Sequence, residues 1–127
     1  MFKLDAIDKV LAELGDHVDF ATIAKKQADL GVQHFQYDVA TGSTTYFGAD
    51  GYLVERRTNG LATKVAMEED AKEVAKVGQE YVTGTLSLAD AVKRLAAAGC
   101  QAWTANLKRN VIDFSGAEGK FMATVQF

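Results

Sequence analysis

Hydrophobic residues along this chain recur first at helical spacing and then at alternating spacing, and this change occurs twice. In the first half, apolar residues at every third or fourth position predict one helix near the N-terminus. They predict a second helix between an N-cap at Asp19 and a stop at Gly31. The period then becomes two, as in half-buried strands. Turns at residues 41–42 and 48–51 divide this stretch into three strands.

The second half repeats this order of elements. An acidic run at residues 68–70 favours the start of a third helix through the helix macrodipole. A fourth helix is predicted from an N-cap at Ser87 to a stop at Gly99. Three alternating stretches follow, separated by turns at residues 109–110 and 116–119. The chain is therefore predicted to form helix, helix, strand, strand, strand twice.

A shift of 68 positions, which carries Gly31 onto Gly99, aligns the two halves without a gap. The shift also places Phe35 on Trp103, which conserves an aromatic position. The other identities are Lys25/Lys93, Ala28/Ala96, Gln33/Gln101, Gly48/Gly116, Ala49/Ala117 and Gly51/Gly119. Two explanations fit this repeat: duplication of one α-α-β-β-β unit, and convergent patterning of two similar units. Duplication is favoured, and both explanations predict the same order of elements.

These patterns predict an α+β fold with an antiparallel sheet and the helices on one side of it. The chain is expected to form one domain, residues 1–127, from two similar units at residues 1–67 and 68–127. The pattern leaves open whether the two units share one sheet or form two lobes.

The alternation assigns the residues of the first two strands of each unit to one of two sheet faces. With two-residue hairpin turns, Tyr37 is expected to pair with Tyr46, and Ala105 with Phe114. Their face should contact the helices. The other face, called the open face below, is mostly polar, as in an antiparallel sheet with one solvated side. The residues expected on the open face are His34, Gln36, Asp38, Thr45, Phe47, Ala102, Thr104, Asn106, Asp113 and Ser115.

Composition narrows the classes of function. The chain carries a net charge of −3, which gives no electrostatic basis for nucleic-acid binding. No apolar run approaches the length of a membrane span and no signal-peptide pattern opens the chain, so a cytoplasmic location is expected. The sequence contains no phosphate loop, dinucleotide fingerprint or HExxH motif, and neither a cofactor nor a metal is predicted.

The candidate functional residues are single side chains rather than motifs. No catalytic residue is predicted, because His34 and Asp38 are four strand residues apart, roughly 13 Å, which is too far for a hydrogen bond. Cys100 is interpreted as a small buried hydrophobe, and Trp103 as core packing rather than a ligand contact. The residues proposed for a binding surface are His34, Asp38, Phe47, Asn106, Asp113 and Arg57.

Phe47 is the residue that does not fit a polar sheet face. Flanked by hydrogen-bonding side chains, it resembles the aromatic anchor of an interaction patch. Arg57, at a strand end, would be an anchor for an anionic ligand. The leading hypothesis is a non-enzymatic binding or interaction module that takes a protein partner or a small ligand, or forms a homodimer through Phe47. The alternative is a small enzyme that uses a carboxylate or His34 between the two units.

Several short runs resemble those of a known family. They are Tyr37-Asp38, Tyr46-Phe47-Gly48, Ala97-Ala98-Gly99-Cys100 and Trp103. The family comprises short bacterial and prophage-encoded proteins of unknown function, some of which carry the label "phage envelope protein". The resemblance covers nearly the whole chain. It implies a bacterial or prophage origin, and it implies no catalytic or binding residues.

Overall fold

A computed structural model describes residues 1–127 and contains four α-helices and six β-strands. The helices are α1 (Leu4–Leu14), α2 (Phe20–Asp29), α3 (Ala71–Val82) and α4 (Leu88–Ala97). The strands are β1 (His34–Asp38), β2 (Thr44–Phe47), β3 (Leu53–Arg56), β4 (Ala102–Asn106), β5 (Val111–Ser115) and β6 (Phe121–Gln126). The predicted order of helix, helix, strand, strand, strand is present twice, and the α+β fold is confirmed.

The helices begin and end at residues suited to those positions. The Ser87 hydroxyl accepts a hydrogen bond from the backbone N–H of Asp90 at 3.2 Å, which caps α4 as predicted. Asp70 caps α3 in the same way, through the N–H of Glu73. Gly99, just after α4, has a φ of 82°, in the left-handed region that favours glycine, so the chain turns there into β4.

The two units share one sheet, with the strand order β3-β2-β1-β4-β5-β6 and every neighbouring pair antiparallel. Strands β1 and β4 meet at its centre, where Gln36 lies opposite Thr104, its own counterpart in the repeat. The sheet therefore has a local twofold axis between these two residues. The short 3-10 turns Ala49–Gly51 and Ala117–Gly119 are also equivalent, each with a left-handed central residue. This shared geometry supports duplication.

The register of both hairpins differs by two residues from the prediction. Tyr46 lies opposite Phe35 rather than Tyr37, and the second hairpin shows the same shift. The connecting loops are residues 39–43 and 107–110, longer than the predicted two residues, because the side chain of Asp38 or Asn106 accepts hydrogen bonds from backbone N–H groups inside its loop. A shift by an even number leaves every side chain on its predicted face.

The helices cover one face of the sheet, as predicted. Phe20 of α2 packs against Phe35 of β1, and Tyr81 of α3 packs against Trp103 of β4. A continuous cluster of buried hydrophobic side chains joins the helices of both units to this face. The residues of the open face alternate with these along each strand and are partly or fully exposed.

The two units differ in how their first helix meets the sheet. Helix α3 packs along β6, and a β-carbon added at Gly78 would lie 2.9 Å from both Phe114 and Val125. Helix α1, its counterpart, contacts β3 at few points. The interface between helix and sheet is therefore close-packed in the second unit, and a space remains in the first.

Candidate functional site

A cavity of about 370 Å³ lies between the helices of the first unit and the sheet. Its volume falls within the range of small-molecule sites. Residues of α1, α2 and β1–β3 form most of its wall, and the second unit adds residues of α3, α4 and β4. The aromatic residues of the wall are Phe20, Phe35, Tyr37, Tyr46, Tyr81 and Trp103. The polar residues of the wall are Asp8, Gln27, Thr44, Arg56 and Asn59.

Buried polar groups are concentrated at this cavity. Gln27 and Thr44 are the two buried polar residues of the protein, and both line it. Two buried side-chain atoms lack a hydrogen-bond partner, Gln27 Oε1 and Trp103 Nε1, and both side chains belong to the cavity wall. Buried polar groups are nearly always paired, and an unpaired one costs roughly 1–3 kcal/mol. Two side chains of the wall therefore each carry one unpaired polar atom that is enclosed by the protein.

The second unit shows how the same fold fills this space with hydrocarbon. Helices α2 and α4 align residue for residue, and the strand register defines equivalent positions in the sheet. The four corresponding pairs around the cavity are Gln27/Leu95, Thr44/Ile112, Tyr46/Phe114 and Arg56/Val125. At each position the first unit has a polar side chain where the second has an apolar one. The fold does not require these polar groups.

The charged groups of the wall neutralise one another. Asp8 of α1 and Arg56 of β3 form an ion pair. The Arg56 side chain is 28% exposed and that of Asp8 is 41% exposed, so the pair lies where the cavity meets solvent. Burial raises the pKa of Tyr46 to about 12, and burial also raises the pKa of the Tyr81 phenol. Both phenols are uncharged at neutral pH, and the cavity has no net charge.

Aromatic contacts hold the central part of the wall. Tyr37 and Trp103 lie opposite each other on β1 and β4, and their rings stack with centroids 4.3 Å apart and an interplanar angle of 20°. The Tyr37 hydroxyl accepts a hydrogen bond from Asn59 Nδ2 at 3.0 Å. Asn59 follows β3, so the segment after the first unit's last strand also supports the cavity. The stacking and this hydrogen bond together fix the positions of both rings in the wall.

The residues that the sequence proposed for a binding surface lie away from the cavity, on the open face and at its edges. His34 lies opposite Phe47 in the strand pairing, and their rings stack with centroids 4.3 Å apart. Asn106 lies opposite His34 on the other side, so these three form one row across the sheet. Asp38 and Asp113 lie in other rows. The structure therefore brings three of the six proposed residues together.

Most of the polar residues proposed for the binding surface already form hydrogen bonds with nearby groups of the protein. Asp38 and Asn106 accept bonds within their hairpin loops, as described above. Asp113 accepts a hydrogen bond from the Thr124 hydroxyl at 2.6 Å. Arg57 follows β3 and is exposed. No carboxylate lies within hydrogen-bond distance of His34, so the structure does not place an acid–base pair there.

Cys100 is buried, as predicted. Its thiol donates a hydrogen bond to the Ala102 carbonyl at 3.5 Å, and burial raises its pKa to about 11. A thiol with this pKa is protonated at neutral pH and is a poor nucleophile. No group of three or more His, Cys, Asp or Glu side chains is arranged to hold a metal ion.

The sequence analysis did not predict the cavity, although one residue of the sequence pointed to it. Gln27 occupies the apolar stripe of α2 where the aligned position in α4 is Leu95. A polar side chain at such a position indicates either a buried hydrogen bond or a site. Trp103 is buried as predicted, but it contributes to the cavity wall as well as to the core. Nothing in the sequence indicated that α1 leaves a space above the sheet.

The fold defines an α+β protein in which two α-α-β-β-β units share one six-stranded sheet. Residues 8–125 match the family described as "Protein of unknown function (DUF1398)", and the chain belongs to that family. The expected membership of a family of unknown function is confirmed, while the phage-envelope label remains a prediction. No curated protein matches the chain. None of the four helices is both long and apolar enough to cross a membrane.

Proposed function

We propose that this protein is a non-enzymatic binding module that takes a small organic ligand into the cavity of its first unit. The observation that carries the proposal is the set of four polar-for-apolar differences around the cavity, at Gln27, Thr44, Tyr46 and Arg56. The volume of about 370 Å³ and the aromatic wall are typical of a small-molecule site.

The energetic cost of these polar groups supports a functional role. Burying Gln27 Oε1 without a partner costs roughly 1–3 kcal/mol, a large fraction of the stability of a small domain. The second unit avoids this cost with Leu95 at the same position. Functional sites commonly retain groups that destabilise the fold.

A cytoplasmic location and a bacterial or prophage origin form part of the same proposal. The lone buried thiol of Cys100 has no disulfide partner, as is usual for proteins of reducing compartments. The proposed ligand is therefore a small cytoplasmic molecule.

The test is a thermal-shift screen with a library of small fragments. A ligand that binds only the folded protein raises Tm, and one present at 100 times its Kd stabilises the fold by about 2.7 kcal/mol. Trp103 is the only tryptophan, so its fluorescence reports directly on the cavity. Fragments that raise Tm should also change the Trp103 emission.

Phe47→Ser is the matched control for this screen, because Phe47 lies on the opposite side of the sheet from the cavity. The variant should bind the same fragments. A library in which no fragment raises Tm and alters the emission together would contradict the proposal.

A second candidate function is self-association through the open face. Leu53, which is 53% exposed, lies opposite Phe47 in the strand pairing, and Phe47 stacks on His34. Leu53 and Phe47 form an apolar strip beside the His34 ring, and a second copy could cover this strip. Phe47→Ser, examined by light scattering, should then lower the molecular mass while Tm stays nearly constant. A wild-type protein that is monomeric at high concentration would refute this candidate.

A further inference from the structure

Four hydroxyl groups belong to the wall of the cavity, and three of them come from neighbouring positions of the sheet. Tyr37 of β1 lies directly opposite Thr44 of β2, and Tyr46 follows two residues later on the same face. Tyr81 of α3 supplies the fourth, and together they are called the hydroxyl cluster below. The corresponding strand positions of the second unit carry no hydroxyl: Ala105, Ile112 and Phe114. The hydroxyls of β1 and β2 are therefore a feature of the first unit alone.

The groups of the hydroxyl cluster lie close to one another. Burial raises the pKa of Tyr81, and the phenols of Tyr46 and Tyr37 raise it further. Burial also raises the pKa of Tyr46, while Arg56 and the Thr44 hydroxyl lower it. Such effects act between groups that are near neighbours. The Tyr81 phenol on α3 therefore faces the hydroxyls of β1 and β2 across the cavity.

A ligand in the cavity can reach the hydroxyl cluster. The unpaired polar side-chain atoms that the protein encloses are Gln27 Oε1 and Trp103 Nε1. The Tyr81 hydroxyl also forms no hydrogen bond within the protein, but it is not one of these enclosed atoms, so it is accessible from the cavity. The hydroxyls of Thr44 and Tyr46 neighbour each other, and whichever of the two donates to the other, one O–H remains free.

Tyr37 is held as a hydrogen-bond donor. Asn59 Oδ1 accepts the backbone N–H of Leu61 at 2.9 Å, so Asn59 Nδ2 is the end of the amide that faces the Tyr37 hydroxyl. Because the Tyr37 oxygen accepts that hydrogen bond, its own O–H remains for another partner. The cluster thus contains O–H groups, at Tyr37, at Tyr81 and in the pair on β2, for which the protein supplies no acceptor.

The ligand that complements these groups carries an oxygen acceptor and no charge. A carbonyl oxygen has two lone pairs, so it can accept hydrogen bonds from two hydroxyls at once. A charged ligand would lose its hydration without meeting a free countercharge, because Asp8 and Arg56 are paired with each other at the edge of the cavity. The stacked rings of Tyr37 and Trp103 favour an apolar ring as the body of the ligand.

Resting on the proposed function, we infer that the ligand is an uncharged carbonyl compound with an apolar, ring-containing body. Its carbonyl oxygen accepts hydrogen bonds from the phenols of the hydroxyl cluster, and its body packs against the apolar residues of the wall. The wall contains no lysine or cysteine that would attack the carbonyl group, which fits binding without conversion.

Four probes of similar size carry the same ring but differ in the group that would meet the hydroxyl cluster: acetophenone, ethylbenzene, benzoate and benzylamine. Isothermal titration calorimetry gives the Kd of each. Acetophenone should bind about tenfold or more tightly than benzoate and benzylamine, because neither charge meets a free partner. The infrared C=O band of isotope-labelled acetophenone should lie at lower frequency in the complex than in an apolar solvent, as expected for a hydrogen-bonded carbonyl.

Tyr46→Phe tests the contact directly, and it reproduces Phe114 of the second unit, so the fold can accommodate it. The variant should bind acetophenone roughly fivefold more weakly, the equivalent of about 1 kcal/mol for one hydrogen bond. Its C=O band should move back toward the value in an apolar solvent. Tyr81→Phe should have the same two effects. Ethylbenzene has no acceptor and should bind both variants at least as tightly as the wild type, which separates loss of recognition from loss of structure.

Tyr52→Phe is the matched control. It also removes a phenol hydroxyl, but Tyr52 lies outside the cavity wall, where its hydroxyl donates a hydrogen bond to the Phe2 carbonyl. The affinities for acetophenone and ethylbenzene should both be unchanged in this variant.

Three outcomes overturn the ligand class while leaving the proposed function intact. An acetophenone affinity and a C=O band that are unchanged in both Tyr46→Phe and Tyr81→Phe would show that the hydroxyl cluster does not contact the carbonyl. Tighter binding of benzoate or benzylamine than of acetophenone would show that the cavity selects a charge. Failure of all four probes, with other fragments still binding in the thermal-shift screen, would show that the ligand has a different chemistry. Failure of the fragment screen as well overturns the proposed function.

Discussion

Replacing Gln27 by leucine should stabilise this protein, although Gln27 is buried and most core substitutions destabilise. The change copies the second unit, in which Leu95 fills the equivalent position of α4. Leucine and glutamine have similar helix propensities, so α2 itself should be unaffected. The variant removes Oε1, which has no hydrogen-bond partner, and places hydrocarbon among apolar neighbours.

The magnitude follows from the cost of the unpaired acceptor. Relief of that cost gives about 1–3 kcal/mol. For a chain of this length, 1 kcal/mol corresponds to roughly 4 °C in Tm. The expected increase is therefore about 4–12 °C, measured by differential scanning calorimetry and by urea unfolding without ligand.

Leu95→Gln is the matched control, because it introduces the same polar group into the close-packed unit. This variant should lower the free energy of unfolding by about 2 kcal/mol or more, since a buried Leu is lost and an unpaired amide is gained. A lower Tm for Gln27→Leu would refute the reasoning. It would show that the Gln27 amide is paired in solution and that the polar wall contributes to stability.

Further predictions concern packing, ionisation and turns. Gly78→Ala should lower the free energy of unfolding, measured in urea, by about 1–2 kcal/mol. The added methyl group would lie too close to Phe114, and the cost of this overpacking should exceed the gain in helix propensity. Equal or greater stability of the variant would contradict the close packing of α3. Because burial raises the pKa of Tyr46 from 10.0 to about 12, the unfolded chain releases this proton first, and stability should fall between about pH 10 and pH 12. In Tyr46→Phe that fall should be smaller, and an unchanged pH profile would refute the assignment. Asp38→Asn should change Tm little, since Asn106 accepts the same kind of hydrogen bond in the second hairpin loop. Asp38→Ala removes the acceptor and should lower the free energy of unfolding by roughly 1 kcal/mol. Equal effects of the two variants would show that the Asp38 side chain does not stabilise the loop.

The sequence alone determined the local structure of this protein. Helical and alternating periods depend on neighbouring residues, so they identified four helices, six strands and the faces of the residues in β1, β2, β4 and β5. The turns at Gly42 and Asn110 were also predictable, because their positive φ angles suit Gly and Asn. The repeat at an offset of 68 residues was also detectable from the sequence, because both units have similar turns and these turns favour the same residue types.

Tertiary structure decided what depends on the relative placement of these elements. The pairing of β1 with β4 brings together residues far apart in the chain, which no local period specifies. The hairpin register was wrong by two residues because the side chains of Asp38 and Asn106 set the loop length. The cavity depends on how closely each helix approaches the sheet. Gly78 allows α3 to pack closely against the sheet, whereas α1 contacts the sheet at few points. The distance between each helix and the sheet is set by side-chain packing across the whole core.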